Sequence, residues 1–178
     1  LPNWHPWEDY RRSYSARKDL GGGVLLTLCH PFDYLRWFFG EVVSVSCIAG
    51  KSGKLSLDVE DRADVLLEFR SGLVGNVHLN FVQQPAEHSI RIVGEKGAII
   101  WNNSNGVVEL LNKGGENKIF SPNKNFERNE MFLSEMKEFV SCVKGRKEAS
   151  LNLDDGISAL KIVLASKKSV KMGRVVKV

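Results

Sequence analysis

Cysteine is scarce in this chain. Only three of the 178 residues are cysteine, at positions 29, 47 and 142, each inside an apolar run. An odd, scattered set builds no disulfide frame and has no zinc-ligand spacing. It reads as buried thiols in a reducing cytoplasm. Long hydrophobic runs are also missing. Nothing approaches the roughly 20 apolar residues that span a bilayer, and no signal peptide is visible, so no membrane partner is expected. Charge of one sign is weak too, at a formal net +4. The basic residues are scattered apart from a loose C-terminal group (Lys161, Lys167, Lys168, Lys171, Arg174, Lys177). A solvated helix face accounts for that group better than a nucleic-acid surface does. There is no Walker motif, no Gly-x-Ser-x-Gly elbow and no G-x-G-x-x-G after a strand. Repeats and low-complexity segments are absent. So is an initial methionine: the chain starts at Leu1 inside a Trp/Pro-rich stretch and reads as a piece of a longer protein.

What remains is an ordinary soluble composition, 43% hydrophobic and 26% charged. A chain of this length buries roughly 70% of its unfolded surface without staples. Residues 1–20 are a leading segment without a period, dense in Trp, Tyr, His and Arg. Residues 23–39 carry Leu25, Leu28, Phe32, Leu35 and Phe39 at spacings of three and four, which predicts a helix stopped by Gly40. The period then falls to two. Val43/Val45/Cys47, Ala63/Val65/Leu67/Phe69 and Val77/Leu79/Phe81 alternate with mostly polar residues, as half-buried strands do. Shorter strands follow at 89–93, 98–101, 107–111 and 118–120. A stripe of Phe132, Met136, Phe139, Val140 and Val143 marks a helix ending near Gly145. Another helix follows, capped by Asp154 and carrying Ile157, Leu160 and Leu164, and a short strand at 174–178 closes the chain. Segregated strands and helices predict a single α+β domain over 1–178: an open, predominantly antiparallel β-sheet with helices packed on one face. Leu66, Val82, Val93 and Ile99 fall on the opposite parity. An apolar second face predicts cover by another subunit or domain.

Chemistry has three candidate places. The first is the 23–39 helix, whose other face gathers Thr27, His30, Asp33, Tyr34 and Trp37. Pro31 supplies no amide, which predicts a kink beside His30. An imidazole there could relay protons with Asp33 holding it, or could be a core histidine bonded to a carbonyl. The second is Gly21-Gly22-Gly23, which either opens helix amides to an anionic ligand or forms a tight loop. The third is the leading segment, where Trp4, His5, Trp7, Tyr10, Arg11 and Tyr14 offer stacking planes and donors for a polyol, or simply pack on a sheet edge. His78 and Asn80 share a strand face with Asn76. His5 and His88 read as surface residues, and Glu60, Asp61, Arg62 and Asp64 as a solvated turn.

Four segments, "YRRSYSARKDLGGGVLLTLCHPFDYLRWFFGEV", "VEDRADVLLEFRSGLVGNVHLNF", "IRIVGEKGAIIW" and "LDDGISALKIVLASKKS", together resemble the C-terminal domain of the glucose-fructose oxidoreductase/inositol dehydrogenase/MocA (Gfo/Idh/MocA) family. The resemblance implies an NAD(P)-dependent oxidoreductase acting on the CH–OH group of a sugar, cyclitol or sugar derivative. It implies a Rossmann domain, absent from this chain, that binds NAD or NADP, and a homodimer or homotetramer formed through the sheet face. It gives His30 the contact to the reacting oxygen and puts Thr27 near the family's aspartate, where a threonine cannot serve as general base. Gly22, Gly23 and Asp33 border the substrate, with Tyr10, Arg11 and Tyr14 holding the rest of it. No Glu-Lys-Pro motif is present to supply the family's lysine, and no metal is expected. The alternative is a non-catalytic ligand-binding or assembly module on the same fold. The isolated chain is expected to be inactive.

Overall fold

The computed structural model describes residues 1–4 and 6–178; the surface expectation for His5 lies outside the described residues. The chain forms two compact units, Leu1–Val82 with Leu151–Val178, and Gln83–Ser150. The α+β class and the antiparallel pairing are as expected. The strands, however, are divided between two four-stranded sheets.

In the first unit, three short 3-10 turns between Tyr10 and Leu20 lead to helices α1 (Val24–Thr27) and α2 (His30–Phe39). Strands β1 (Val42–Gly50), β2 (Arg62–Phe69), β3 (Val74–Asn80) and β8 (Val176–Lys177) form an antiparallel sheet in the order β3-β2-β1-β8. Alternation does what the sequence predicts. Ala63, Val65, Leu67 and Phe69 are buried, while Arg62, Asp64, Leu66 and Glu68 face outward. Helix α4 (Leu153–Met172) crosses the inner face and buries Ile162, Val163 and Ala165 among them. A polar staple fixes its position: the Cys47 amide of β1 donates to Ser169 Oγ at 3.0 Å, and that hydroxyl donates to the Arg174 carbonyl at 2.7 Å. The cap of α4 is Asn152 rather than Asp154. Asn152 accepts from the amides of Asp154 and Asp155, and the Asp155 carboxylate accepts from the Asn152 amide, completing a capping box. Each large side chain taken fully inside, such as Phe32, Leu25 or Phe69, contributes about 1.5–3 kcal/mol.

The predicted helix over 23–39 is two helices. Leu28 and Cys29 interrupt it, and α2 restarts at His30 with Pro31 in its first turn. The physical reason is Pro31. Inside a helix its ring and missing amide break the ladder, whereas in a first turn that amide has no partner to lose. The break is closed by bonds from the Leu28 amide to the Val24 carbonyl and from the Phe32 amide to the Cys29 carbonyl.

In the second unit, β4 (Ser89–Gly94), β5 (Gly97–Asn102), β6 (Val107–Asn112) and β7 (Lys118–Phe120) run antiparallel in sequence order, followed by α3 (Asn129–Val143). Phe132, Met136, Phe139 and Val143 are exposed along α3. Its Glu138 is held by the Ser150 hydroxyl and amide and by Lys147, contacts that pull the carboxyl down to about 2. Val93 and Ile99 belong to this second sheet and Leu66 to the first, so the opposite-parity apolar residues do not share one sheet face. No described helix is long and apolar enough to cross a membrane.

Candidate functional site

Helix α2 divides its side chains by arc. At about 100° per residue, Leu35, Phe39, Phe32 and Arg36 fall within about 100° of one another, and Asp33, Trp37, His30 and Tyr34 within a second arc of similar width. The first arc is the packed one: Phe32 is 0% exposed, and Leu35 and Phe39 pack on the same core. Phe39 meets Phe69 of β2 edge-on at 5.7 Å. The second arc looks outward. His30 is exposed at the first helical position, and Trp37, two turns on, is 75% exposed. Asp33 and Tyr34 are half-buried between them, and burial pushes the Tyr34 phenol up to about 12, so it stays a neutral donor. The arc therefore lines up an imidazole, a carboxylate, a phenol and an indole. A group of this kind can exchange a proton, accept a hydroxyl proton and offer a flat apolar wall. His30 is not a core histidine.

Thr27 ends α1 three residues before His30. Its Oγ1 is buried without a hydrogen-bond partner among the described residues. A buried orphan hydroxyl costs about 1–3 kcal/mol, and its position beside the break in the helices puts that cost at the candidate site.

The triple glycine is explained by close approach. Gly22 donates its amide to the Arg17 carbonyl at 2.8 Å, and Gly23 donates to Ser15 at 3.0 Å. Val24 donates to the Glu60 carbonyl at 3.0 Å, while Glu60 Oε1 lies 3.4 Å from the Leu25 amide. A Cβ on Gly22 would sit 2.2 Å from the Tyr14 carbonyl oxygen, and one on Gly23 would sit 2.4 Å from Glu60 Oε1. The amides at 22–25 are thus spent inside the protein, and of the two sequence readings the tight loop is the one the geometry matches. A dinucleotide needs free amides at a helix start for its pyrophosphate. These residues do not fit that group.

The leading segment is more tied down than its composition implies. Tyr10 is half-buried, and its hydroxyl accepts from the Ser56 amide at 3.1 Å. Arg11 is exposed and forks onto Asp9 at 2.7–3.0 Å. Tyr14 is exposed and free to stack. On the outer face of the first sheet, Asp64, His78 and Asn80 form a chain, with His78 Nδ1 2.8 Å from Asp64 and Nε2 3.0 Å from Asn80 Nδ2. His88 is exposed with its ring edge-on to Trp101. The three cysteines are free, and burial with the carboxylates of Glu60 and Asp64 pushes the Cys47 thiol up to about 11. No group of three or more metal-ligating side chains occurs among the described residues.

One expectation is overturned in the charged turn. Asp61 is 0% exposed and receives the Ser52 amide and hydroxyl, both at 2.7 Å. It is a structural carboxylate that ties the loop after β1 to the start of β2. Glu60 is the residue sequence reading missed at the site, because its partners lie some 35 positions away at α1.

The 1,5-anhydro-D-fructose reductase of Ensifer adhaerens is 28% identical over 168 residues, covering 89% of this chain and 48% of that protein. The myo-inositol 2-dehydrogenase of Thermotoga maritima is 29% identical over 175 residues, covering 89% and 50%. The chain thus spans about half the length of the curated relatives it matches. Among solved structures, a levoglucosan dehydrogenase in complex with NADH and levoglucosan superposes with a TM-score of 0.82 at 19% identity, over 93% of this chain and 53% of that one, which is a likeness of fold. The sequence pattern of the oxidoreductase family's C-terminal alpha/beta domain matches residues 3–178. The chain belongs to the Gfo/Idh/MocA oxidoreductase family, as its C-terminal alpha/beta domain.

Proposed function

We propose that this chain is the substrate-facing and assembly domain of an NAD(P)-dependent oxidoreductase that acts on the CH–OH group of a sugar, cyclitol or sugar derivative. The observation that carries the reading is the outward arc of α2, where His30, Asp33, Tyr34 and Trp37 stand on one side of a helix anchored by its other side. His30 meets the reacting oxygen. Asp33 and Tyr14 meet neighbouring hydroxyls and ring faces. Tyr10 and Arg11 shape the segment that carries Tyr14, Gly22 lets that segment lie against α1, and Gly23 leaves room for Glu60. The dinucleotide is held by a Rossmann domain outside this chain, in keeping with glycine amides that are already engaged. The outer face of the first sheet, with Ile48, Leu66 and Val74 exposed, serves subunit contact. Unpaired cysteines suit a reducing cytoplasm.

A second reading, a ligand-binding or assembly module without turnover, is favoured by one observation: Thr27 stands near the place where the family resemblance puts an acid. Both readings are separated by assaying the full-length protein with NAD and NADP against sugars and cyclitols. Substrate-dependent reduction of nicotinamide, absent from the isolated 178 residues, is the expected result. Ligand binding without turnover by the full-length protein supports the second reading instead.

A further inference from the structure

We propose that Arg36 is a positioning residue that fixes α2, and through it His30, by clamping the far end of the helix to α4. The inference rests on the reading of the α2 arc as the substrate wall. Arg36 lies in the last turn of α2, and its side chain is 18% exposed. Its Nη1 donates to Asp155 Oδ1 at 3.0 Å, and its Nη2 reaches Glu41 Oε1 at 2.9 Å. These carboxylates come from two different places: the first turn of α4 and the connection from α2 to β1. Both residues are also tied outside α2. Asp155 also accepts the Asn152 amide in the capping box at 3.2 Å, and the Glu41 carbonyl accepts the Arg70 amide at 2.8 Å. Arg36 Nε is buried without a partner among the described residues. The guanidinium thus gives up one donor to keep its fork on two carboxylates, a geometry a lysine point charge cannot copy.

The apolar anchors of α2 leave a degree of freedom that this fork removes. Phe32, Leu35 and Phe39 hold the packed arc by contacts without direction, so they resist separation more than roll or tilt. Arg36 lies six positions after His30, a lever of about 9 Å. A tilt of about 10° about the Arg36 end would carry His30 through about 1.6 Å. Misplacement of a reacting group by about 1 Å can cost about 100-fold in rate.

The test is Arg36→Lys and Arg36→Ala in the full-length protein, with His30→Asn as reference. In Arg36→Lys the thermal midpoint stays near that of the parent, kcat falls about tenfold or more, and KM for the nicotinamide cofactor is unchanged. A merely structural role gives the opposite pattern, because a lysine that restores stability then restores turnover as well. Arg36→Ala is expected to lose at least as much kcat, and if it fails to fold, Arg36→Lys decides alone. Turnover within twofold of the parent in Arg36→Lys overturns the inference while His30→Asn remains impaired. If His30→Asn itself keeps full turnover, the substrate-wall reading fails and the positioning role with it.

Discussion

Replacing His30 by Asn in the full-length protein lowers kcat by about 100-fold or more, with the melting temperature unchanged. The size follows from the role: a positioned acid or base is worth about 10²–10⁴ in rate, and an asparagine can hold a hydroxyl but cannot exchange its proton. The unchanged stability follows from the place. His30 is exposed at the first position of α2, and the helix is anchored by Phe32, Leu35 and Phe39 on its opposite arc. Replacing an exposed side chain alters little in the folded state. The two readouts are therefore uncoupled, which makes the experiment decisive. Steady-state kinetics beside a thermal melt measures both. Full turnover in the variant would remove His30 from the chemistry, and a large loss of stability would make it a structural residue.

The largest effect on folding is expected at Gly22. An alanine there would place its Cβ 2.2 Å from the Tyr14 carbonyl oxygen, 2.7 Å from that of Ser15 and 2.8 Å from that of Arg17. All three obstacles are backbone, so no side-chain rotation relieves them. Either the 14–17 turn moves away, or the bonds from Gly22 to Arg17 and from Gly23 to Ser15 are lost. Overpacking of this kind costs about 3 kcal/mol or more. Gly21 is the internal control. It has open space around a Cβ but a backbone φ of +79°, so Gly21→Ala meets only the left-handed penalty of about 1–2 kcal/mol. Denaturant midpoints of the two variants should differ clearly, with Gly22→Ala the weaker. Equal midpoints would mean that the segment carrying Tyr14 is not held against α1 as described.

These two sites also show which parts of the structure a sequence reader can reach. Strand β2 was legible because its parity is local: Ala63, Val65, Leu67 and Phe69 alternate with their neighbours, and burial follows the alternation. The outward arc of α2 was legible for the same reason, since His30, Asp33 and Trp37 share a face by spacing alone. The break at Leu28–Cys29 was not. A proline suits either a kinked interior or a first turn, and only the packing of Phe32 beneath a restarted helix decides between them. The buried state of Asp61 depends on Ser52, and the engaged amides of Gly23 and Val24 depend on Ser15 and Glu60. Those partners are brought together by the fold and leave no periodic trace. Asn152 and Asp154 both suit a helix cap, and the reciprocal bonds with Asp155 select the first. The division of the strands into two sheets escaped for a related reason: parity reports which side of a strand is buried, not which strand lies beside it.

In the proposed reading the outward arc of α2 faces the reacting carbon. A crystal structure of the full-length protein with its nicotinamide cofactor and a turned-over polyol tests it most directly. The expected result is an imidazole nitrogen of His30 within hydrogen-bond reach, about 2.6–3.2 Å, of the oxygen on the carbon that loses hydride. A polyol bound elsewhere, with His30 left facing solvent, would contradict it.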